Sequence, residues 1–367
     1  RAGLESTAVR SSAVNELEAF LWRMRFVLDG GSRDYRLLVH PGPRVQFVCL
    51  RGAVALKPAM RPTRSFLLLS GTLSPFDVLA RELGLSSTSL GVFDTHEGAL
   101  VDPSLHGSSM AESLYPQRHL QVCQAPHHPS LEQMCIARAV GVVGTITLDS
   151  RLRYRGEAYL HGVGEAIAAL SAVVPNGVVV FLPSYALLSS LLSSLHASGR
   201  FAAIQRERQV FVEERGEVGS RVIASYRSAA VAGQALLLAV MRGKAAEGID
   251  LRDAEARGCF VVGVPFPQLT AEVELRRQAP NGGRWYEAEA MRQVSQAAGR
   301  LLRHQGDFGA LILLDTRFAG PLPPAKPRPP PPLLAPWLRS LLRPSALCSA
   351  RDDLESFFAT RGLGTSR

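Results

Sequence analysis

The five cysteines of this chain, Cys49, Cys123, Cys135, Cys259 and Cys348, are scattered and form no CxxC pair. That spacing offers no zinc ribbon or disulfide framework, and it predicts reduced, mostly buried thiols of an intracellular protein. Long apolar runs are missing too. The longest, Ala235 to Met241, is far too short to cross a bilayer, and Arg1 to Arg10 lacks the apolar core of a signal peptide. Neither of the two glycine-rich phosphate loops, GxGxxG and GxxxxGK[ST], occurs anywhere, which argues against a dinucleotide-binding unit and a complete phosphate-loop ATPase. Residue 1 is arginine rather than methionine, so we expect the natural start of the chain to lie upstream.

What is present fits a two-domain globular chain. At 367 residues there is enough sequence for two cores, and 46% hydrophobic with 20% charged residues is an ordinary balance. Lys+Arg 41 against Asp+Glu 32 gives a net charge of +9, which favours phosphate-bearing partners and says nothing about fold.

Periodicity supplies the elements. Val14, Leu17, Leu21, Met24 and Leu28 recur at helical spacing. Val45 to Leu50 reads as a strand, and Phe66 to Leu69 as another that runs into Ser70-Gly71-Thr72. A helix should follow, capped by Ser74, with Pro75 at its first position, Asp77 in its first turn and Gly84 at its end. Residues 85 to 155 show no regular pattern. Beyond them, Gly164 to Val174 and Tyr185 to Leu195 read as helices. Val178 to Leu182, Ala235 to Val240, Phe260 to Val264 and Ala310 to Leu314 read as strands buried on both faces. Alternating strands and helices predict a doubly wound parallel α/β sheet. Leu322 to Pro332 is a proline-rich connector to a short C-terminal helical segment.

Ligands of such sheets bind beyond the carboxyl ends of the strands. The residues at those ends are Ser70, Gly71 and Thr72; Ser184 and Tyr185; Arg242, Gly243 and Lys244, then Glu247, Gly248 and Asp250; and Phe266. Small hydroxyls, glycines and basic groups allow the close main-chain approach and the charge that a phosphate backbone or nucleotide needs. A further stripe, Gln293, Gln296, Arg300 and Arg303, is spaced to lie on one face of a helix, where two arginine forks can grip a polyanion. Each feature also has a plainer reading. Ser-Gly-Thr makes turns, Asp250 can cap a helix, Tyr185 can pack on the sheet, and charges on loops and helices are often merely solvated.

Taken in order, these segments resemble the Rad3/XPD-type superfamily-two DNA helicases. Ser70 to Pro75 looks like motif III of that family, Val180 to Tyr185 like motif IV, Arg242 to Asp250 like motif V, and Gln296 to Arg303 like motif VI. Trp285-Tyr286-Glu287, His304 and Gly309 to Phe318 are most similar to the Fanconi anaemia group J and regulator-of-telomere-elongation branch. The resemblance covers about residues 12 to 360. It implies an ATP-dependent 5′→3′ DNA helicase of the nucleus that acts in DNA repair, with two RecA-like domains clamping ATP and Mg2+. By the same resemblance Arg303 would be the arginine finger, with Gln296 and Arg300 also facing the phosphates. Gly248, Asp250, Glu247, Gly71 and Thr72 would line the nucleotide cleft. Ser184, Tyr185, Arg242 and Lys244 would follow single-stranded or forked DNA, and DNA-repair proteins are the expected protein partners, with no membrane.

The departures from the family pattern matter as much. The phosphate loop, the DEAH box and the four cysteines of the 4Fe-4S module are all absent from this sequence. All three belong to the family's first RecA-like domain, which we therefore expect before Arg1. On that view residues 1–84 are the tail end of the first domain, 85–320 the second RecA-like domain, and 321–367 the connector and C-terminal helical segment. This chain alone should then lack ATPase activity. Two other readings stay open: an ATPase-dead module that binds nucleic acid or a helicase partner, and a metabolic mononucleotide enzyme, which would need the GxGxxG turn that is missing.

Overall fold

A computed structural model describes residues 14–25, 28, 34–42, 44–54, 56, 67–69, 73–85, 90–94, 99–101, 120–123, 135–144, 146–151, 156–214, 218–243, 251–301, 307–319 and 333–362. Among the described residues the strands are β1 (Tyr35–Val39), β2 (Val45–Cys49), β3 (Leu67–Leu69), β4 (Leu90–Asp94), β5 (Ala99–Val101), β6 (Leu120–Cys123) and β7 (Cys135–Val143). They continue as β8 (Ile146–Thr147), β9 (Gly177–Leu182), β10 (Gln209–Val212), β11 (Ala235–Val240), β12 (Gly258–Val262), β13 (Gly309–Leu314) and β14 (Leu342–Ala346). The helices are α1 (residues 14–25), α2 (Phe76–Leu83), α3 (Glu157–Ser171), α4 (Tyr185–Ala197), α5 (Arg200–Glu207) and α6 (Val218–Ala232). Next come α7 (Ala271–Gln278), α8 (Gly282–Gly299), α9 (Thr316–Ala319), α10 (Pro336–Leu341) and α11 (Leu347–Ala359).

The large sheet runs in the order β10-β11-β9-β12-β13-β7-β14, every neighbouring pair parallel, with β8 folded back antiparallel on β7. Its central strands β9, β11, β12 and β13 are apolar and buried at every position because both faces are covered. Val178, Val180 and Leu182 of β9 point to the side packed by α3, α4 and α11, while Val179 and Phe181 point to the side packed by α6 and α8. The same alternation divides β11, β12 and β13. The expected doubly wound parallel α/β sheet is therefore what forms.

The chain departs from expectation in instructive places. α3 begins at Glu157, well before Gly164, and stops at Ser171. Its glycines disguised the helix in sequence, yet they fit it: a Cβ at Gly164 would meet Leu195 of α4 at 2.9 Å. At α2 it is Pro75 that occupies the cap position, in extended conformation, and no side chain caps the helix, so Ser74 does not. Gly84 ends it in the left-handed conformation, as expected. β12 is shifted to Gly258–Val262 because Gly263, at φ +71, turns the chain out of the sheet. The C-terminal segment is not only helical, since β14 adds a parallel edge strand to β7. Pro344 hid that strand, and an edge is where a strand tolerates proline. Of Cys49, Cys259 and Cys348 only Cys259 is buried.

A second sheet, β3-β6-β4-β5, gathers strands from residues 67–123. β1 and β2 form a separate antiparallel pair. The proline-rich connector lies outside the described residues.

Candidate nucleic-acid and nucleotide site

Parallel register brings the strand ends level. Leu182 of β9 pairs with Val240 of β11, and the Met241 N–H donates to the Leu182 carbonyl at 2.8 Å. Ser184 and Arg242 thus leave the sheet from adjacent strands two residues past a shared register pair. Ser184 is exposed and caps α4 by accepting from the Leu187 N–H at 3.2 Å. Tyr185 is half-buried and its hydroxyl donates to Glu213 at 3.0 Å. Arg242 is exposed. Lys244, Glu247, Gly248 and Asp250, like Gly71 and Thr72, lie outside the described residues.

Glu213 carried no signal in sequence, where Glu213-Glu214 after a strand looks like solvated charge. In the fold it is buried at the end of β10, and its second oxygen accepts the Val240 N–H at 2.7 Å.

On the other side of β9, two Asp-x-Arg turns interlock at neighbouring strand ends. Asp315 follows β13 and is fully buried. One of its oxygens accepts the Arg317 N–H at 2.9 Å and Nε at 2.8 Å; the other accepts Arg317 Nη2 at 2.9 Å and the Ser150 N–H at 3.0 Å. Asp149 repeats the pattern with the Arg151 N–H and guanidinium, at 2.9 Å from the amide. The Arg151 hydrogen bonds hold the Asp149 carboxyl below its ordinary range, against the opposing effect of burial. Arg317 also lies over Phe266 at 5.5 Å, and Phe266 stacks on Tyr286 at 4.9 Å, so the loop after β12 rests on a layered cation and two rings.

The Gln-Arg-Arg stripe is only partly assembled by helix. α8 ends at Gly299, and Arg300 is its C-cap with backbone still close to helical. Gln296 is exposed on α8, Arg300 is half-buried with its guanidinium 5.2 Å from the Phe181 ring, and Arg303 lies outside the described residues. Ser184, Tyr185 and Arg242 share one strand-end edge; Arg300 reaches the underside of β9 instead of that edge.

The family model described as "Helicase C-terminal domain" matches residues 167–323, the stretch that contains α8 and most of the parallel sheet. Together with the curated relatives and solved structures that the chain resembles, this match supports a Rad3/XPD-type superfamily-two helicase, C-terminal half. It is 31% identical over 302 residues to the regulator of telomere elongation helicase 1 homolog of Anopheles gambiae, covering 77% of this chain and 26% of that protein. It is 28% identical over 344 residues to the homolog of Caenorhabditis elegans, covering 87% of this chain and 31% of that one. The chain thus spans about a quarter to a third of the length of these relatives. Among solved structures, an XPD helicase shares 18% identity at a TM-score of 0.50, covering 80% of this chain and 46% of that one. A second structure, of apo XPD, matches at the same identity and TM-score over 81% of this chain and 53% of its own. The large sheet is accordingly a RecA-like helicase fold.

Proposed function

We propose that this chain is the C-terminal motor part of an ATP-dependent DNA helicase that moves 5′→3′ along single-stranded or forked DNA during DNA repair in the nucleus. What supports this reading above all is the register that brings Ser184, Tyr185 and Arg242 out of adjacent parallel strands at one edge. Ser184 and its loop amides would approach phosphates, Tyr185 would stack on a base, and Arg242 with Lys244 would follow the backbone by charge. Such contacts read no sequence.

In the same proposal Arg303 is the arginine finger, with Gln296 and Arg300 toward the phosphates and Gly71, Thr72, Glu247, Gly248 and Asp250 along the nucleotide. Phosphoryl transfer is catalysed by positioning and by neutralising oxygen charge, which suits a fixed guanidinium. Among the described residues there is no group of three or more His, Cys, Asp or Glu placed to hold a metal, and the five cysteines lie on five separate elements. Cysteines on five separate elements offer no four-cysteine cluster site. We assign ATP and Mg2+ to a cleft shared with a first RecA-like domain and the 4Fe-4S cluster to that first domain alone; residues 1–84 would be its tail end, 85–320 the second domain and 321–367 the connector and C-terminal helical segment.

The deciding experiment joins this chain to a first RecA-like domain bearing the phosphate loop. Arg303→Ala should leave ATP binding intact and lower DNA-stimulated hydrolysis by about 10³-fold or more. Unchanged turnover removes Arg303 from catalysis. If the joined protein never hydrolyses ATP yet this chain binds DNA, the ATPase-dead binding module is the correct reading.

A further inference from the structure

Glu213 stands where three parts of the strand-end edge meet, and none of the helicase motifs includes it. Its side chain is 4% exposed. Oε1 accepts from the Tyr185 hydroxyl at 3.0 Å, and Oε2 accepts from the Val240 N–H at 2.7 Å. Its own N–H donates to the Leu238 carbonyl at 2.8 Å, which fixes the residue against β11. Gly243 closes the arrangement from the far side: a Cβ there would sit 2.4 Å from Oε1. The Gly243 N–H in turn donates to the Val240 carbonyl at 2.8 Å, forming the turn that carries Arg242.

A carboxylate is costly to bury, and an apolar side chain would fill the same space. What an apolar residue cannot do is join a side chain on α4 to the backbone of β11 through two acceptor oxygens on one rigid group. We infer that Glu213 is a positioning residue: it touches no DNA itself but fixes the spacing between the Tyr185 ring and the Arg242 turn. This rests on the reading of Tyr185 and Arg242 as single-strand contacts. A ring that stacks on a base and a guanidinium that meets a phosphate must be held at one separation to engage the same strand together. Gly243 is required by the same logic, because any side chain there displaces the carboxylate and breaks both bonds.

The chemistry distinguishes this role from plain support. Glutamine keeps both links, its oxygen accepting from Val240 and its amide donating to the Tyr185 oxygen, whereas alanine loses both. Tyr185→Phe removes one link and keeps the stacking ring. Binding of fluorescein-labelled oligo(dT) to this chain should weaken about tenfold in Glu213→Ala, the worth of a buried hydrogen bond to a charged group. Tyr185→Phe should weaken it comparably, the double variant no further than Glu213→Ala alone, and Glu213→Gln by no more than about twofold. Gly243→Ala should reproduce the defect and add nothing in the Glu213→Ala background.

Additive losses, an unchanged Glu213→Ala, or a Glu213→Gln as weak as alanine would each overturn the inference. Amide exchange supplies a readout that needs no DNA. Tyr185→Phe should speed exchange at residues 241–243, across the sheet from the substitution, while the β9 and β12 amides stay protected. If the unmodified chain fails to bind oligo(dT), the strand-contact reading falls. The exchange result then decides the coupling alone, and unchanged exchange at 241–243 refutes it.

Discussion

Asp315→Asn tests whether the strand-end edge is held rigid by its buried acids. Two carboxylate oxygens there receive four N–H donors: two from the Arg317 guanidinium, one from the Arg317 backbone and one from the Ser150 backbone. The carboxylate is fully buried, so water cannot replace a lost acceptor. Asparagine has nearly the same shape, but one of its two terminal atoms is a donor, and whichever way it turns that atom faces two further donors. Breaking one side of a buried, hydrogen-bonded ion pair typically costs about 3–5 kcal/mol. Arg317 keeps about a quarter of its side chain in solvent, which lets part of its charge rehydrate and lowers the expectation to about 3 kcal/mol. Urea unfolding of this chain, followed by circular dichroism, should show that loss as a lower midpoint with an unchanged slope. Because Arg317 also supports Phe266 and through it Tyr286 of α8, tyrosine fluorescence should change before the global transition. A loss below about 1 kcal/mol would mean that the four donors find other acceptors, and the rigid-edge argument would fail.

Three further outcomes are expected. Arg208 is buried at the opposite edge, donating to the carbonyls of Ser171, Val174, Asn176 and Ala235 and to Gln234; burial lowers its pKa to about 10. Arg208→Leu removes a costly buried charge but strands those acceptors, for a net loss of about 2–3 kcal/mol in urea unfolding, and a more stable variant would contradict this. For Asp149, the folded carboxyl titrates below its unfolded value. Its contribution is therefore complete above the ordinary aspartate range near pH 4 and disappears as pH falls through the lower, folded value. Asp149→Asn should flatten that acid limb of the stability curve, and an identical limb would dismiss the Arg151 pairing as its cause. Finally, Lys244→Ala should weaken single-strand binding about equally for all sequences and lower the salt slope by about 1, whereas a defect confined to one sequence would show base readout instead.

How much of this was legible in the sequence depends on how local each signal is. β11 was readable to the residue because Ala235 to Val240 is an uninterrupted apolar run between a glycine turn and a basic loop. β14 was not, since Leu342-Arg343-Pro344-Ser345-Ala346 has no strand character of its own and exists by pairing with β7, about two hundred residues earlier. The same distinction governs the site. Ser184, Tyr185 and Arg242 could be chosen because they directly follow readable strands. Glu213 and Asp315 could not, because their meaning comes from partners distant in sequence: Tyr185 and Val240 for the first, and Ser150 for the second.

Those three acids also resolve an apparent conflict in an edge proposed to bind a polyanion. Carboxylates facing a phosphate backbone would repel it, yet Glu213, Asp149 and Asp315 are each less than a tenth exposed. Their oxygens point inward, at amides, a hydroxyl and guanidiniums, so their charge is spent within the protein rather than presented. What faces outward is different: Arg242 and Ser184 are exposed, and Arg151 keeps 69% of its side chain in solvent while paired with Asp149. The edge is thus ordered by negative charge from below and shows positive charge and hydroxyls above. A surface made only of arginines would attract a polyanion more strongly but would leave the loops that carry them unfixed. Buried acids order the contacts first, and the proposed strand contacts depend on that order if they are to keep one spacing.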